Sequence, residues 1–344
     1  MRKRIVAVFM CAVIVVAFGA YLIQPTRNPS NPMIGTFYYT WYNPDSSVSW
    51  DTAKIVDKPV LGYYNSCDPT IIKQHLNWMQ NVGIDFVITS WWGFYDDYGT
   101  FTDTATKQVF ETAQNINSTL KFAVMVEPFH VNSSSYNYAE IYNHIYDNFV
   151  APYSSLYYKD SKPVICFFNN QSLTDNGNIP KDERFNTVLV GQQSYTQWIY
   201  TNLNRYDYRA CGDYQTSVTP RYDESHLNRT RNLMIDIYLN ESTYDTEWEN
   251  AIQLWKDGKI NTILISTWNE FPERTAIEPH IDATASNQST HFLYDKTKYY
   301  INQIQQSTSM LPAYLLAGLT AVLLVSAITI NQFYVKPRKR QILK

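Results

Sequence analysis

The chain has 344 residues, 45% hydrophobic and 15% aromatic, with 28 basic and 31 acidic side chains and a net charge of −3. The charge is unevenly distributed: all 31 acidic residues but only 20 basic ones lie between two uncharged apolar runs near the ends, which leaves that central region at −11. A region that negative repels phosphate backbones and anionic lipid, which argues against a nucleic-acid partner and suits an uncharged substrate.

In chain order, Arg2, Lys3 and Arg4 precede the first apolar run, Ile5 to Ile23. Its length is close to the ~20 residues that cross a bilayer as a helix. Residues 1–23 read as a signal anchor or a signal peptide, with Ala17 and Gly19 offering a small-x-small cleavage site. The second run, Leu311 to Ile330, precedes Lys336, Arg338, Lys339 and Arg340. It predicts a C-terminal transmembrane helix over 311–335 and a basic cytoplasmic tail over 336–344. Basic residues on the outer flank of both runs place both termini in the cytoplasm and residues 24–310 outside the cell membrane. The competing reading is two buried core helices, which would need no basic flanks.

Between the runs, short apolar stretches rich in β-branched and aromatic residues alternate with amphipathic ones. The expected strands are Ile34–Tyr42, Ile84–Trp92, Leu120–Glu127, Pro163–Phe168, Thr187–Val190, Tyr206–Cys211, Leu233–Tyr238 and Thr262–Trp268. Helices are expected at Pro69–Val82, with Ile72, Leu76 and Met79 on one face, and at Tyr244–Trp255, with Trp248, Ile252 and Trp255 on one face. Eight strands alternating with helices predict an α/β fold, a (β/α)8 TIM-type barrel over 24–306 with one transmembrane helix at each end. Cys67, Cys166 and Cys211 provide one disulfide pair at most. Six Asn-x-Ser/Thr triplets, beginning at Asn117, Asn132, Asn170, Asn228, Asn240 and Asn287, fit an exported chain.

Barrel enzymes work at the C-terminal ends of their strands. Here those ends read Trp41-Tyr42, Trp91-Trp92, Glu127-Pro128 and Trp268-Asn269-Glu270. Aromatic rings stack on the apolar faces of pyranose sugars, and glycosidic cleavage needs one carboxyl as acid and a second group to assist the oxocarbenium-like centre. Glu270 and Glu273, three apart beyond the last strand, can share a pocket in which mutual repulsion raises one pKa. Read blandly, they are solvated loop charges with Arg274 as partner. Glu127 closes an apolar strand, which is costly unless it meets a polar pocket or a basic partner. Neighbouring strand residues point opposite ways, so at most one of Trp91 and Trp92 lines a pocket, and Tyr38, Tyr39, Trp41 and Tyr42 divide similarly. His130 reads as a loop residue. The sequence holds no His/Cys/Asp cluster with metal-site spacing, no phosphate loop and no serine-hydrolase elbow, so neither metal nor cofactor is expected.

Four segments carry a family resemblance: Phe37-Tyr-Tyr-Thr-Trp-Tyr-Asn-Pro, Leu61-Gly-Tyr-Tyr-Asn-Ser-Cys-Asp-Pro, Ser90-Trp-Trp with Val126-Glu-Pro-Phe, and Thr267-Trp-Asn-Glu-Phe-Pro-Glu-Arg-Thr-Ala-Ile-Glu-Pro. Together they resemble glycoside hydrolase family 99, the endo-α-1,2-mannosidases and mannanases. The resemblance implies a metal-free, retaining (β/α)8 hydrolase that cleaves within mannose-containing chains. It implies Glu270 as the base on the sugar's own 2-hydroxyl, which forms a 1,2-anhydro sugar, and Glu273 as the acid that later activates water. It also implies substrate contacts from Glu127, Tyr39 or Tyr42, and Trp91 or Trp92, beside Trp268 and Asn269 of the last segment. The family usually carries Trp-His between its two glutamates, where this chain has Phe271-Pro272. The partners expected are therefore an oligosaccharide and, through two helices, the membrane. Competing with the hydrolase are a degenerate relative that binds surface glycans without cutting them and a structural envelope protein.

Overall fold

The computed structural model describes residues 30–46, 50–51, 54–128, 137–168, 179–190, 215–227, 241–285 and 287–307. The chain divides into two compact units, Pro32–Asn302 and a second made of Met1–Asn31 with Gln303–Lys344. In the second unit the described residues are 30–31 and 303–307. Both apolar runs read from the sequence lie outside the described residues, and among the described residues no helix is long and apolar enough to cross a membrane. The expected strands Tyr206–Cys211 and Leu233–Tyr238 also lie outside them.

The large unit is built on one curled parallel sheet. Its strands are β1 (Met33–Tyr39), β3 (Phe86–Trp91), β4 (Lys121–Val126), β6 (Lys162–Phe168), β7 (Asn186–Val190), β8 (Gln215–Val218) and β9 (Thr262–Ile265). They run in the order β7-β6-β4-β3-β1-β9-β8, every pair parallel. The last strand in sequence, β9, lies beside the first, with Gly35 opposite Leu264. That neighbourhood is how a (β/α)8 barrel closes. Two short antiparallel additions flank it. β5 (Lys159–Asp160) hairpins onto β6, and β2 (Lys58–Pro59) pairs with β10 (His280–Ile281).

Helices α1 (Pro69–Val82), α2 (Asp97–Asn115), α3 (Tyr138–Ile145, continuing as a π turn to Val150), α4 (Glu241–Lys256) and α5 (292–307) alternate with the strands. The first shows the local logic. Asp68 caps its start through the Thr70 amide at 2.8 Å, and Pro69 occupies a position where its missing N–H is not needed. Gly83 ends it at φ 98°, and Ile84 N bonds back to Met79 O at 3.0 Å. The face expected from Ile72, Leu76 and Met79 is buried, with His75 and Val82 added to it. In α4, Trp248 and Trp255 are buried as expected, while Ile252 is only half-buried.

The strands are buried on both faces, as parallel strands under helices must be. One phase fills the barrel interior: Phe37 and Tyr39 from β1, Phe86 and Ile88 from β3, Ala123 and Met125 from β4, Val164 and Cys166 from β6, Val188 and Val190 from β7, and Leu264 from β9. Several strands are shorter than the sequence suggests. β1 stops at Tyr39 and β9 at Ile265, because the aromatic and polar residues that follow bend into the barrel mouth. β8 had no sequence signal, since Gln-Thr-Ser-Val shows no apolar alternation; it is set by pairing along β9.

Gly35 faces the interior opposite Phe86, and a Cβ there would lie 2.3 Å from the Phe86 ring, which itself stacks on Tyr158 at 4.4 Å. Gly35→Ala should therefore destabilise the protein by about 1–3 kcal/mol, the usual cost of overpacking a filled core. Chemical denaturation of the two proteins checks this, and an unchanged midpoint would contradict the close packing of this layer.

Candidate active site

The inward spacing of two runs along β3 to Ser90 and past the end of β4 to Glu127. Ser90 follows Ile88 and Glu127 follows Met125, so both enter the mouth on the interior phase. Ser90 Oγ donates to Glu127 Oε1 at 2.9 Å and accepts from Trp92 Nε1 at 3.1 Å. Trp92 belongs to an aromatic wall: Tyr39 lies 4.4 Å from Trp41, Trp41 6.0 Å from Trp92, and Trp92 5.6 Å from Tyr98, centroid to centroid. Gly99 lets the wall close up. A Cβ there would sit 2.9 Å from the Trp92 carbonyl, and the Gly99 amide is capped by Asp96 at 2.7 Å.

The opposite wall follows β9. Trp268 N continues the ladder to Phe37 O at 2.8 Å, and the chain then folds back on itself, with Glu270 N bonded to Thr267 Oγ1 at 2.9 Å and Thr275 N to Glu270 O at 3.2 Å. Phe271–Glu273 form a single 3-10 turn. Pro272 stands at its beginning, where no backbone donor is required, so the departure from Trp-His keeps the turn intact. Phe271 is fully buried between Tyr42 and Trp50, each 6.1 Å away. Glu270 is 6% exposed and Glu273 half-buried.

The electrostatics bring the three carboxylates into one space. The Glu127 carboxyl is raised to about 8, chiefly by burial, with the Ser90 hydrogen bond opposing the shift and the Glu273 charge adding to it. The Tyr98 phenol is raised by burial and then by Glu127, Asp96 and Glu270. Arg274, the candidate partner of the glutamates in the bland reading, directs its guanidinium to Asp57 (2.9 Å), Asp223 (3.0 Å) and Asp282 (3.0 Å).

Four residues read from the sequence as substrate-binding have no exposed surface here: Tyr42, Trp91, Trp268 and Asn269. Each is packed inside the protein. Trp91 falls on the outer phase of β3, beneath α2, and its Nε1 donates to Asp103 at 2.8 Å. Trp268 packs beside His75 and Tyr294. The Asn269 side chain bridges both backbone groups of Tyr39, at 2.8 and 2.9 Å, and Tyr42 Oη donates to Asn269 O at 2.6 Å. The alternation rule decided the Trp91-Trp92 pair: one ring is inside the wall and one under a helix. Of the residues expected to touch substrate, Glu127, Tyr39 and Trp92 stand in the mouth with Glu270 and Glu273.

One group among the described residues has the spacing of a metal site: Asp57, His280 and Asp282 offer ligand atoms within 4.8 Å of one another. Two guanidiniums already occupy it. Arg221 bonds Asp57, Asp282 and His280, and Arg274 bonds both aspartates. The donor set fits buried ion pairing rather than a cation.

Residues 47–177 match the family model "Glycosyl hydrolase family 99". The same name heads two solved structures of the endo-α-mannosidase from Bacteroides thetaiotaomicron. They superpose with TM-scores of 0.57 and 0.58 at 19% and 18% identity, over 80% of this chain and 98% of theirs. A mouse glycoprotein endo-α-1,2-mannosidase-like protein is 23% identical over 297 residues, 73% of this chain. The chain spans 62% of that protein's length. The family 99 match ends before Glu270 and Glu273, and the likeness to the solved structures supports the (β/α)8 fold.

Ser90, Tyr64 and Glu278 lie in the segments that carry the resemblance but were given no role by it, and Tyr98 and Arg221 lie in none of those segments. Ser90 had a legible signal, lying two residues beyond Ile88 on the inward phase. Tyr98 enters from the first turn of α2, and Tyr64, Glu278 and Arg221 owe their place to loops whose course the sequence leaves open.

The raised Glu127 pKa fixes a sign. A carboxyl that holds its proton more tightly folded than unfolded contributes stability below its ordinary range, near pH 4.5, and loses it as pH rises through about 8. Glu127→Gln, which has no proton to lose, should gain stability relative to the parent between pH 5 and pH 8. Melting curves across that range read the difference; a constant gap would show that Glu127 titrates normally.

Proposed function

We propose that this chain is a glycoside hydrolase that cleaves within α-mannose-containing oligosaccharides with retention of configuration. The observation that carries the reading is the meeting of Glu127, Glu270 and Glu273 at one aromatic-walled barrel mouth. Glu270, buried and fixed by the turn it begins, acts as the base that takes the proton of the sugar's 2-hydroxyl. That oxygen attacks the anomeric carbon to form a 1,2-anhydro sugar, while Glu273, better exposed, protonates the departing glycosidic oxygen. Glu273 then activates the water that opens the anhydro ring. Glu127, kept neutral at pH 7 by burial, donates a hydrogen bond to a sugar hydroxyl, and Tyr39, Trp41 and Trp92 supply the apolar faces on which the ring stacks.

The glutamines at the two positions separate the roles. Glu273→Gln should lose about 10²–10⁴-fold on a sugar leaving group, the usual worth of general acid help, and regain much of its first step with a glycosyl fluoride. Glu270→Gln should be rescued by no leaving group. Proton NMR of the first product should show retained configuration. Inversion, or equal rescue of both variants, would overturn the assignment, and a wild type that binds the oligosaccharide without cleaving it would mark a glycan-binding protein instead.

The same reading places the barrel outside the cell membrane, tethered by Ile5–Ile23 and Leu311–Ile330, because basic clusters flank both runs on their outer sides. Protease added to intact cells should remove the barrel and spare the tail from Lys336 to Lys344. A tail digested before lysis would exclude the two-anchor arrangement.

A further inference from the structure

The turn that carries Glu273 is held from one side by a single loop, 219–227. Three successive carbonyls of the turn are engaged by it. His226 Nε2 bonds Pro272 O at 3.2 Å, the Asp223 amide donates to Glu273 O at 3.0 Å, and Arg221 Nε donates to Arg274 O at 2.8 Å. The Asp223 carboxylate adds an ion pair to Arg274 at 3.0 Å. The loop is itself preformed: Asp223 Oδ1 accepts from both Ser225 N (3.0 Å) and Ser225 Oγ (2.7 Å), and Leu227 N closes onto Glu224 O at 2.9 Å.

These bonds differ in what they secure. Arg221 is buried and shared with Asp57, Asp282 and His280, so it belongs to the foundation of the mouth. His226 is half-buried and has one hydrogen bond to the turn, on the carbonyl immediately before Glu273. Pro272 has no N–H, so the peptide before it offers only the Phe271 carbonyl, and the Pro272 carbonyl is the acceptor of the peptide that leads into Glu273. A donor on Pro272 O therefore sets the peptide plane from which the Glu273 side chain departs, and small displacements of an acid from its proton acceptor are costly in rate.

We infer that loop 219–227 is a clamp on the acid turn and that His226 is a positioning residue for Glu273. The inference rests on the role of Glu273 proposed above. His226 touches no reacting atom; it acts by holding the backbone from which the acid reaches the leaving oxygen.

The test uses the full chain in detergent and two readouts. In the first, His226→Ala and His226→Gln are compared with the parent on an α-mannose oligosaccharide and on the matching glycosyl fluoride. His226→Ala should lose about tenfold to a hundredfold in kcat on the oligosaccharide, the scale expected of a misplaced catalytic group, and much less on the fluoride. His226→Gln, which keeps a side-chain N–H donor, should recover part of the loss. Equal loss on both substrates, or none on either, would overturn the inference. The second readout needs no turnover. Hydrogen exchange of the peptide spanning Phe271–Thr275, whose Arg274 and Thr275 amides close the turn onto Phe271 O (3.1 Å) and Glu270 O (3.2 Å), should quicken in His226→Ala while the barrel strands stay protected. Unchanged exchange there would remove the clamp whatever the activity. Quickened exchange in a protein whose wild type cleaves neither substrate would keep the clamp and remove the proposed reaction.

Discussion

The geometry of the mouth depends on one buried side chain. Asn269 presents its carbonyl to Tyr39 N and its amide to Tyr39 O, tying the end of the first strand to the segment that follows the last. A parallel sheet that curls on itself leaves these two strand ends without a continuing ladder, and a primary amide supplies the donor and acceptor that a further strand residue would have offered. Leaving a buried backbone group unsatisfied costs about 1–3 kcal/mol, so the bridge holds against local fraying. Glu270 comes next in the chain and inherits that fixed position.

Behind Asn269 the polar contacts continue inward. Its Nδ2 also bonds Tyr64 Oη at 3.1 Å, Tyr64 donates to Glu278 Oε2 at 2.8 Å, and Glu278 Oε1 lies 3.3 Å from His75 Nε2, whose Nδ1 meets Tyr38 Oη at 2.9 Å. This chain crosses from the mouth to α1 through otherwise apolar packing. A second buried set, Arg221 and Arg274 with Asp57 and Asp282, closes the far side of the Glu273 turn. Such a set is weak evidence for stability, because the desolvation of each ion offsets most of its attraction. Its effect is geometric. Because Arg274 is committed to the aspartates, the turn is fixed while its positive charge is directed away toward them.

The result is a site whose three carboxylates differ by environment rather than by type. Glu127 sits on a strand extension between apolar neighbours, with one hydroxyl on it and another carboxylate nearby, and its proton is held to about pH 8. Glu270 is buried in a turn that satisfies its own backbone, and Glu273 stands at the better-exposed end of that turn. The half-buried rings of Trp41 and Trp92 add the apolar surface that separates this space from bulk water.

Several of these features follow from residue order alone. Phe86-Val-Ile-Thr-Ser-Trp and Lys121-Phe-Ala-Val-Met-Val are strands because their apolar and β-branched residues leave no polar face, and alternate side chains must then point inward. From that alternation Glu127 and Ser90 face the mouth, and the Asp68-Pro69 start and Gly83 stop of α1 are equally local. Sequence could not decide which aromatic residues beyond the strands reach the pocket, because alternation lapses where a strand bends. Trp268 and Asn269 turned into the interior, and Trp91 went beneath α2. Nor could it place Arg221 opposite Asp57, 164 positions away, or bring loop 219–227 onto three carbonyls of the Glu273 turn. Those contacts exist because closing the sheet brings distant strand ends to one rim, where each loop takes the partners that bury its polar groups without waste.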